Sequence, residues 1–248
     1  MDRKLFVRHA FSALGIVAVA PLIHACSKNN DSASASSDES SGSSSDVTTD
    51  TSCSVSPTET EGPFPTKQPS SYVRSDITKG DGIGSPLTAK ITIVNSNNNC
   101  KSLEGAIVDI WHCDVDGNYS EYGGTQMQST NFQSVHWLRG RQVTDANGLV
   151  TFKSIFPGWY QGRATHIHVH VYNASGTSLL VTQIAFPDTL AITVNSTGSA
   201  YGYTKGTSGY TYNNADNVFS DSVAKEMATV TGSVDKGFDL SITIKANA

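Results

Sequence analysis

The sequence predicts an all-β protein, an antiparallel β-sandwich with one short helix, and three observations carry that prediction. Residues 89–94, 105–112, 149–153, 165–172, 179–185 and 238–244 each alternate along the chain, as strands with two unlike faces do. Gly, Asn, Asp or Pro, the residues that turn a chain, stand between most of them. Only 16% of the 248 residues are charged, and a chain rich in Ser, Thr, Gly and Asn suits strands and turns better than helices. The apolar share of 38% supports one good core, which excludes a disordered chain. A net charge of -5 excludes a basic nucleic-acid binder.

Residues 1–25 read as a secretory signal, because Arg3, Lys4 and Arg8 precede an apolar run from Phe11 to Ile23. That run is too short for the roughly 20 residues of a membrane-spanning helix. Leu22-Ile23-His24-Ala25-Cys26 resembles a bacterial lipoprotein processing site, with Cys26 as the lipidated first residue and plain secretion as the alternative. Either way the protein is expected to be exported, in the cell envelope when anchored, with a lipid on Cys26 as its sole membrane contact. Removing the leader leaves a mature charge of -7. Residues 26–52 are a Ser-rich, low-complexity spacer, with Val47 their one sizeable apolar side chain. Residues 53–248 are the functional unit and read as one domain.

Within that domain the six alternating stretches are the strands. The one clear helical candidate is 220–230, where Val223, Met227 and Val230 share a stripe. If Cys26 is lipidated, Cys53, Cys100 and Cys113 remain in an oxidising compartment, enough for one disulfide. Cys100 and Cys113 bracket a strand and sit too far apart to pair; Cys53 is expected to bond to one of them.

The chemistry concentrates in Arg163-Ala164-Thr165-His166-Ile167-His168-Val169-His170. Alternate histidines on a strand share a face, and neighbours roughly 6.6 Å apart can serve one metal ion whereas the outer two cannot. Alternation alone equally fits a polar sheet face, and it leaves open whether the pair is 166 with 168 or 168 with 170. Two further segments bear on this: 105–114 (GAIVDIWHCD) followed by Gly117-Asn118-Tyr119-Ser120, and Phe156-Pro157-Gly158-Trp159-Tyr160. With Thr60-Glu61-Gly62-Pro63-Phe64, Arg163-x-x-His166-x-His168 and Thr182-Gln183-Ile184, they resemble the intradiol ring-cleavage dioxygenases, the catechol and protocatechuate dioxygenases, in their secreted or lipoprotein branch.

The resemblance implies the β-sandwich core of that family and a non-haem Fe(III) held by Tyr119, Tyr160, His166 and His168. Two phenolates at neutral pH need a strongly acidic metal ion, a requirement that Fe(III) meets much better than Zn(II) or Fe(II). It further implies that a catechol binds through both oxygens, that Tyr160 takes up a substrate proton, and that O2 attacks the ring carbon. Cleavage between the hydroxyl-bearing carbons then gives a muconate-type diacid. Arg163 would steady negative charge on the ring, with a surface ion pair as its alternative, and Gln183 would orient substrate or oxygen. The connection from Tyr160 to His166 is shorter than in catechol dioxygenases, and His112, His136 and His170 are assigned to structure. Two other readings stand beside this one: a non-catalytic binding lipoprotein on the same sandwich, and a His-liganded Zn or Cu protein.

Overall fold

The computed structural model describes residues 53–220 and 222–248. The leader, Cys26 and the rest of the Ser-rich spacer lie outside the described residues, and so does Asp221, inside the expected helix. The strands are β1 (Pro86–Asn95), β2 (Lys101–Ser102), β3 (Ile107–Trp111), β4 (Arg139–Val143), β5 (Leu149–Ile155), β6 (His166–Tyr172), β7 (Ser178–Ala185), β8 (Thr229–Ser233) and β9 (Gly237–Ala246). All six expected strands are present, and β2, β4 and β8 are additional. One sheet runs β2-β1-β9-β8 with β5 also paired to β1; the other runs β4-β3-β6-β7. Leu87, Ala89, Ile91 and Ile93 of β1 meet Val108 and Ile110 of β3 and Ile167, Val169 and Val171 of β6 in one core between the sheets.

Three features differ from the sequence reading. First, β1 and β9 pair in parallel, from Leu87 opposite Phe238 to Asn95 opposite Ala246, while the remaining strand pairs are antiparallel. Second, 220–230 is not a helix. It holds a 3-10 turn at Val223–Lys225 and then extends into β8, where the β-branched run Thr229-Val230-Thr231 finds a partner in β9. Val223 and Met227 still face inward, against Ala164, Ala185 and Phe219. Third, the helix is α1, Asp188–Thr197, which buries Ala191, Val194 and Asn195. Its β-branched content hides it from propensity; Asp188 in the first turn and Gly198 after the last are its visible signals.

Cys53 bonds to Cys100, with Cα atoms 5.6 Å apart, and Cys113 is a buried free thiol. The bridge sits where β1 ends at Asn95. At the other end of β1, Pro86 pairs with Ile155, the last residue of the strand that leads into 156–160.

Candidate active site

Strand parity explains where the site lies. Ile167, Val169 and Val171 of β6 enter the core, so His166, His168 and His170 point to the opposite face of the sheet. Register then assembles a row across all four strands: Arg139 of β4 lies opposite Trp111 of β3, Trp111 opposite His168 of β6, and His168 opposite Gln183 of β7. The Trp111 and His168 rings stack at 4.9 Å with planes 2° apart. Loops cover this outer face, so the row is fully buried.

Two of those loops bring the phenols. Tyr119, 0% exposed, comes from the β3–β4 connection, and its Oη lies 3.3 Å from His166 Nε2. His166 Nε2 lies 3.1 Å from His168 Nε2. Tyr160, half-buried, sets its ring edge-on to Tyr119 at 5.8 Å and to His166 at 5.7 Å. The 156–160 segment is seated by close backbone approach: a Cβ on Gly158 would lie 2.5 Å from Asp114 O and 2.4 Å from Val115 O. Trp159 adds a hydrogen bond from Nε1 to Gly206 O, and Lys205 lies over its ring at 4.1 Å.

The electrostatics favour metal ligation. Burial pushes the pKa values of His166 and His168 well below the ordinary imidazole range, so both rings are neutral. His166 Nδ1 donates to Ala164 O at 2.6 Å, which leaves the Nε2 lone pair facing the cluster. Burial raises Tyr119 well above the usual phenol value and raises Tyr160 against the pull of the Arg163 guanidinium. Phenols so placed ionise only beside a strong Lewis acid. Among the described residues no group of three or more His, Cys, Asp or Glu side chains converges. His170 turns away from the cluster, to Glu61 at 3.0 Å and Ser178 at 2.8 Å, whereas His166 and His168 lie together.

Arg163 and Gln183 lie beside this cluster and bind each other, Nη2 to Oε1 at 2.6 Å. Arg163 is not a surface ion pair. Its Nε donates to both oxygens of Asp216, at 3.0 and 2.9 Å, and Asp216 is 0% exposed. The 60–64 segment closes the site: Thr60 O accepts from Gln183 Nε2 at 2.8 Å, and Phe64 stacks on Tyr119 at 4.7 Å. Gly62, at φ +67°, passes so near that a Cβ would lie 3.1 Å from His168 Cε1.

A family model described as Dioxygenase matches residues 60–201, which contain every residue of this cluster except Asp216. An intradiol ring-cleavage dioxygenase from Tetranychus urticae superposes with a TM-score of 0.68 at 31% identity, covering 79% of this chain and 95% of that one. The chain belongs to the intradiol ring-cleavage dioxygenases. A chlorocatechol 1,2-dioxygenase from Rhodococcus opacus is 31% identical to this dioxygenase in an alignment of 103 residues that covers 34% of this chain and 37% of the relative. The dioxygenase domain of a carbohydrate-binding fusion protein from Streptomyces sp. SirexAA-E shares the fold, with a TM-score of 0.56 at 24% identity over 79% of this chain and 99% of that one.

Three residues of the dioxygenase site escaped the sequence reading. Asp216 and Gln128 carried no motif. Arg139 is a strut: Nη1 donates to Phe64 O at 3.0 Å, Nη2 to Ser120 O at 2.6 Å and Nε to Ser120 Oγ at 2.9 Å.

Proposed function

We propose that the chain cleaves a catechol-type ring between its two hydroxyl-bearing carbons, both atoms of O2 entering a muconate-type dicarboxylic acid. The observation that carries this is the convergence of Tyr119 Oη, His166 Nε2 and His168 Nε2, no further than 3.3 Å along the chain of contacts, with Tyr160 edge-on beside them. Two neutral imidazoles and two phenols fit a non-haem Fe(III), which these four residues would hold. When bound, the ion supplies the Lewis acidity that makes a dianionic catechol available at neutral pH. Tyr160, the less enclosed phenol, would accept a substrate proton at Oη once the bound ion has made it a phenolate. Arg163, locked by Asp216, holds a fixed positive charge beside the site where negative charge develops on the ring, and Gln183 is held in one orientation by Arg163 and Thr60. Phe64, Trp111 and Tyr122 pack around the phenols and exclude water.

Protein purified without chelator is expected to hold about one iron per chain and to be red-brown from phenolate-to-Fe(III) charge transfer. Tyr119→Phe and Tyr160→Phe should shift or bleach that band, and Tyr172→Phe should not. A colourless protein with stoichiometric zinc would falsify the reading.

We also propose that neutral or alkyl-substituted catechols are preferred to a carboxylated ring such as protocatechuate. Arg74, Arg139 and Arg141, the cations of the adjoining segments, are committed to other partners. Arg74 donates to Arg139 O and His136 O, Arg139 ties Phe64 to Ser120, and Arg141 pairs with both oxygens of Asp109 at 2.6 Å. Stranding a carboxylate costs more than about 1.4 kcal/mol, so oxygen uptake should favour catechol by about tenfold or more in kcat/KM. Preference for protocatechuate would overturn this.

Export, with a lipid on Cys26 as the membrane anchor, is also part of the proposal. The Cys53–Cys100 bridge supports it, because such bonds persist in oxidising compartments. Cys26→Ser is expected to abolish palmitate labelling and release the protein from the membrane fraction. Labelling that survives the substitution counts against a lipid at this position.

A further inference from the structure

Tyr119 lies in the β3–β4 connection, outside every strand, so its main chain has no ladder partner. One side chain takes that place. Gln128 Oε1 accepts the Tyr119 N–H at 2.6 Å, and Gln128 Nε2 donates to Tyr119 O at 2.8 Å. A primary amide carries the donor and acceptor of a peptide unit, so it docks on a lone residue much as a neighbouring strand would. Nε2 also lies 2.9 Å from Tyr122 O and 3.3 Å from Thr130 O.

The loop that carries Gln128 is organised around this contact. Hydrogen bonds from Glu121 N to Phe132 O and from Phe132 N to Tyr122 O, both 2.8 Å, close its neck. Between 124 and 131 every residue is exposed except Gln128, which is 5% exposed. Its neighbour Met127, the apolar side chain available for packing, is 68% exposed. Apolar burial therefore does not hold this stretch in place, and the one group it sends inward is an amide.

We propose that Gln128 is the positioning residue of Tyr119. It fixes the main chain from which the phenol reaches His166, while Phe64 fixes the face of the ring. The assignment rests on Tyr119 being a ligand in the proposed iron centre. It also predicts behaviour in the metal-free chain, where the Tyr119 amide should be protected from exchange by the Gln128 carbonyl alone.

Hydrogen exchange on the metal-free protein is the first test. The Tyr119 amide should be protected in the wild type and should exchange about tenfold faster or more in Gln128→Met, which keeps side-chain length and loses the amide. In the iron-loaded protein, Gln128→Met and Gln128→Glu should shift the visible band and surrender iron at about tenfold lower chelator concentration. Gln133→Ala removes another hydrogen bond across the same loop, Nε2 to Gly123 O at 3.0 Å, and should leave the band in place. A purely structural role would lower the melting temperature with an unmoved band. The assignment is overturned by a wild-type Tyr119 amide that exchanges freely, a measurement that needs no variant to fold. It is also overturned by an iron-coloured wild type whose Gln128 variants keep its band and chelator midpoint. A wild type that takes up no iron overturns the reading of Tyr119 as a ligand instead.

Discussion

Asp216→Ala is expected to destabilise the fold by roughly 3–5 kcal/mol, the cost of breaking a buried ion pair on one side. Asp216 receives Arg163 Nε on both oxygens, the Ala164 N–H at 2.7 Å and the Val218 N–H at 2.9 Å, with no exposure to water. Alanine strands the guanidinium of Arg163, a residue that is 8% exposed, and two amide hydrogens. In urea unfolding the loss should appear at the midpoint, with a fall in melting temperature of order 10 °C for a domain of this size. Arg163→Ala should also destabilise the fold, by leaving a buried carboxylate with two amide donors but no counter-charge, and it should release Gln183. Asp216→Asn keeps an acceptor and should lose less. A loss below about 1 kcal/mol for Asp216→Ala would put the pair in the class of solvated surface bridges and sink the idea that it locks the site.

Removing the Cys53–Cys100 bridge should cost about 4 kcal/mol, the chain-entropy value for its sequence separation of 47. The effect should act on the unfolded chain and leave the site unaltered. The bridge closes where β1 ends at Asn95, whereas the 156–160 segment follows the strand end paired with Pro86, at the opposite end of β1. The double variant Cys53→Ser, Cys100→Ser should therefore unfold at lower denaturant and bind iron as the parent does. Equal unfolding midpoints with and without reductant would contradict this.

Much of the site was legible because strand parity is local. His166 and His168 could be placed on one face from their spacing, and Tyr119 and Tyr160 from the motifs around them. The groups that fix those side chains could not be read this way. Gln128 acts through main-chain atoms, which leave no trace in side-chain pattern. Asp216 meets Arg163 across 53 residues, and Arg139 meets Phe64 O across 75. The same limit applies to the fold. The strands at 89–94 and 238–244 were each evident, but their parallel pairing depends on what lies between them in space. At 220–230 a helical stripe was outweighed by an open strand edge, and at Asp188–Thr197 β-branched residues entered a helix because tertiary packing overrode their preference.

The parallel pairing of β1 with β9 also orders events in time. β9 lies between β1 and β8, so the first long strand of the sheet waits for the last to be synthesised before its edge is satisfied. Contacts of such separation raise the contact order and slow folding. A chain emerging from the ribosome, made from its amino end at about 5–20 residues per second, holds no complete five-stranded sheet until residues 237–246 arrive. Until then the Ile91 and Ile93 strand keeps a bare hydrogen-bonding edge, which leaves the nascent chain pliable and dependent on protection from aggregation.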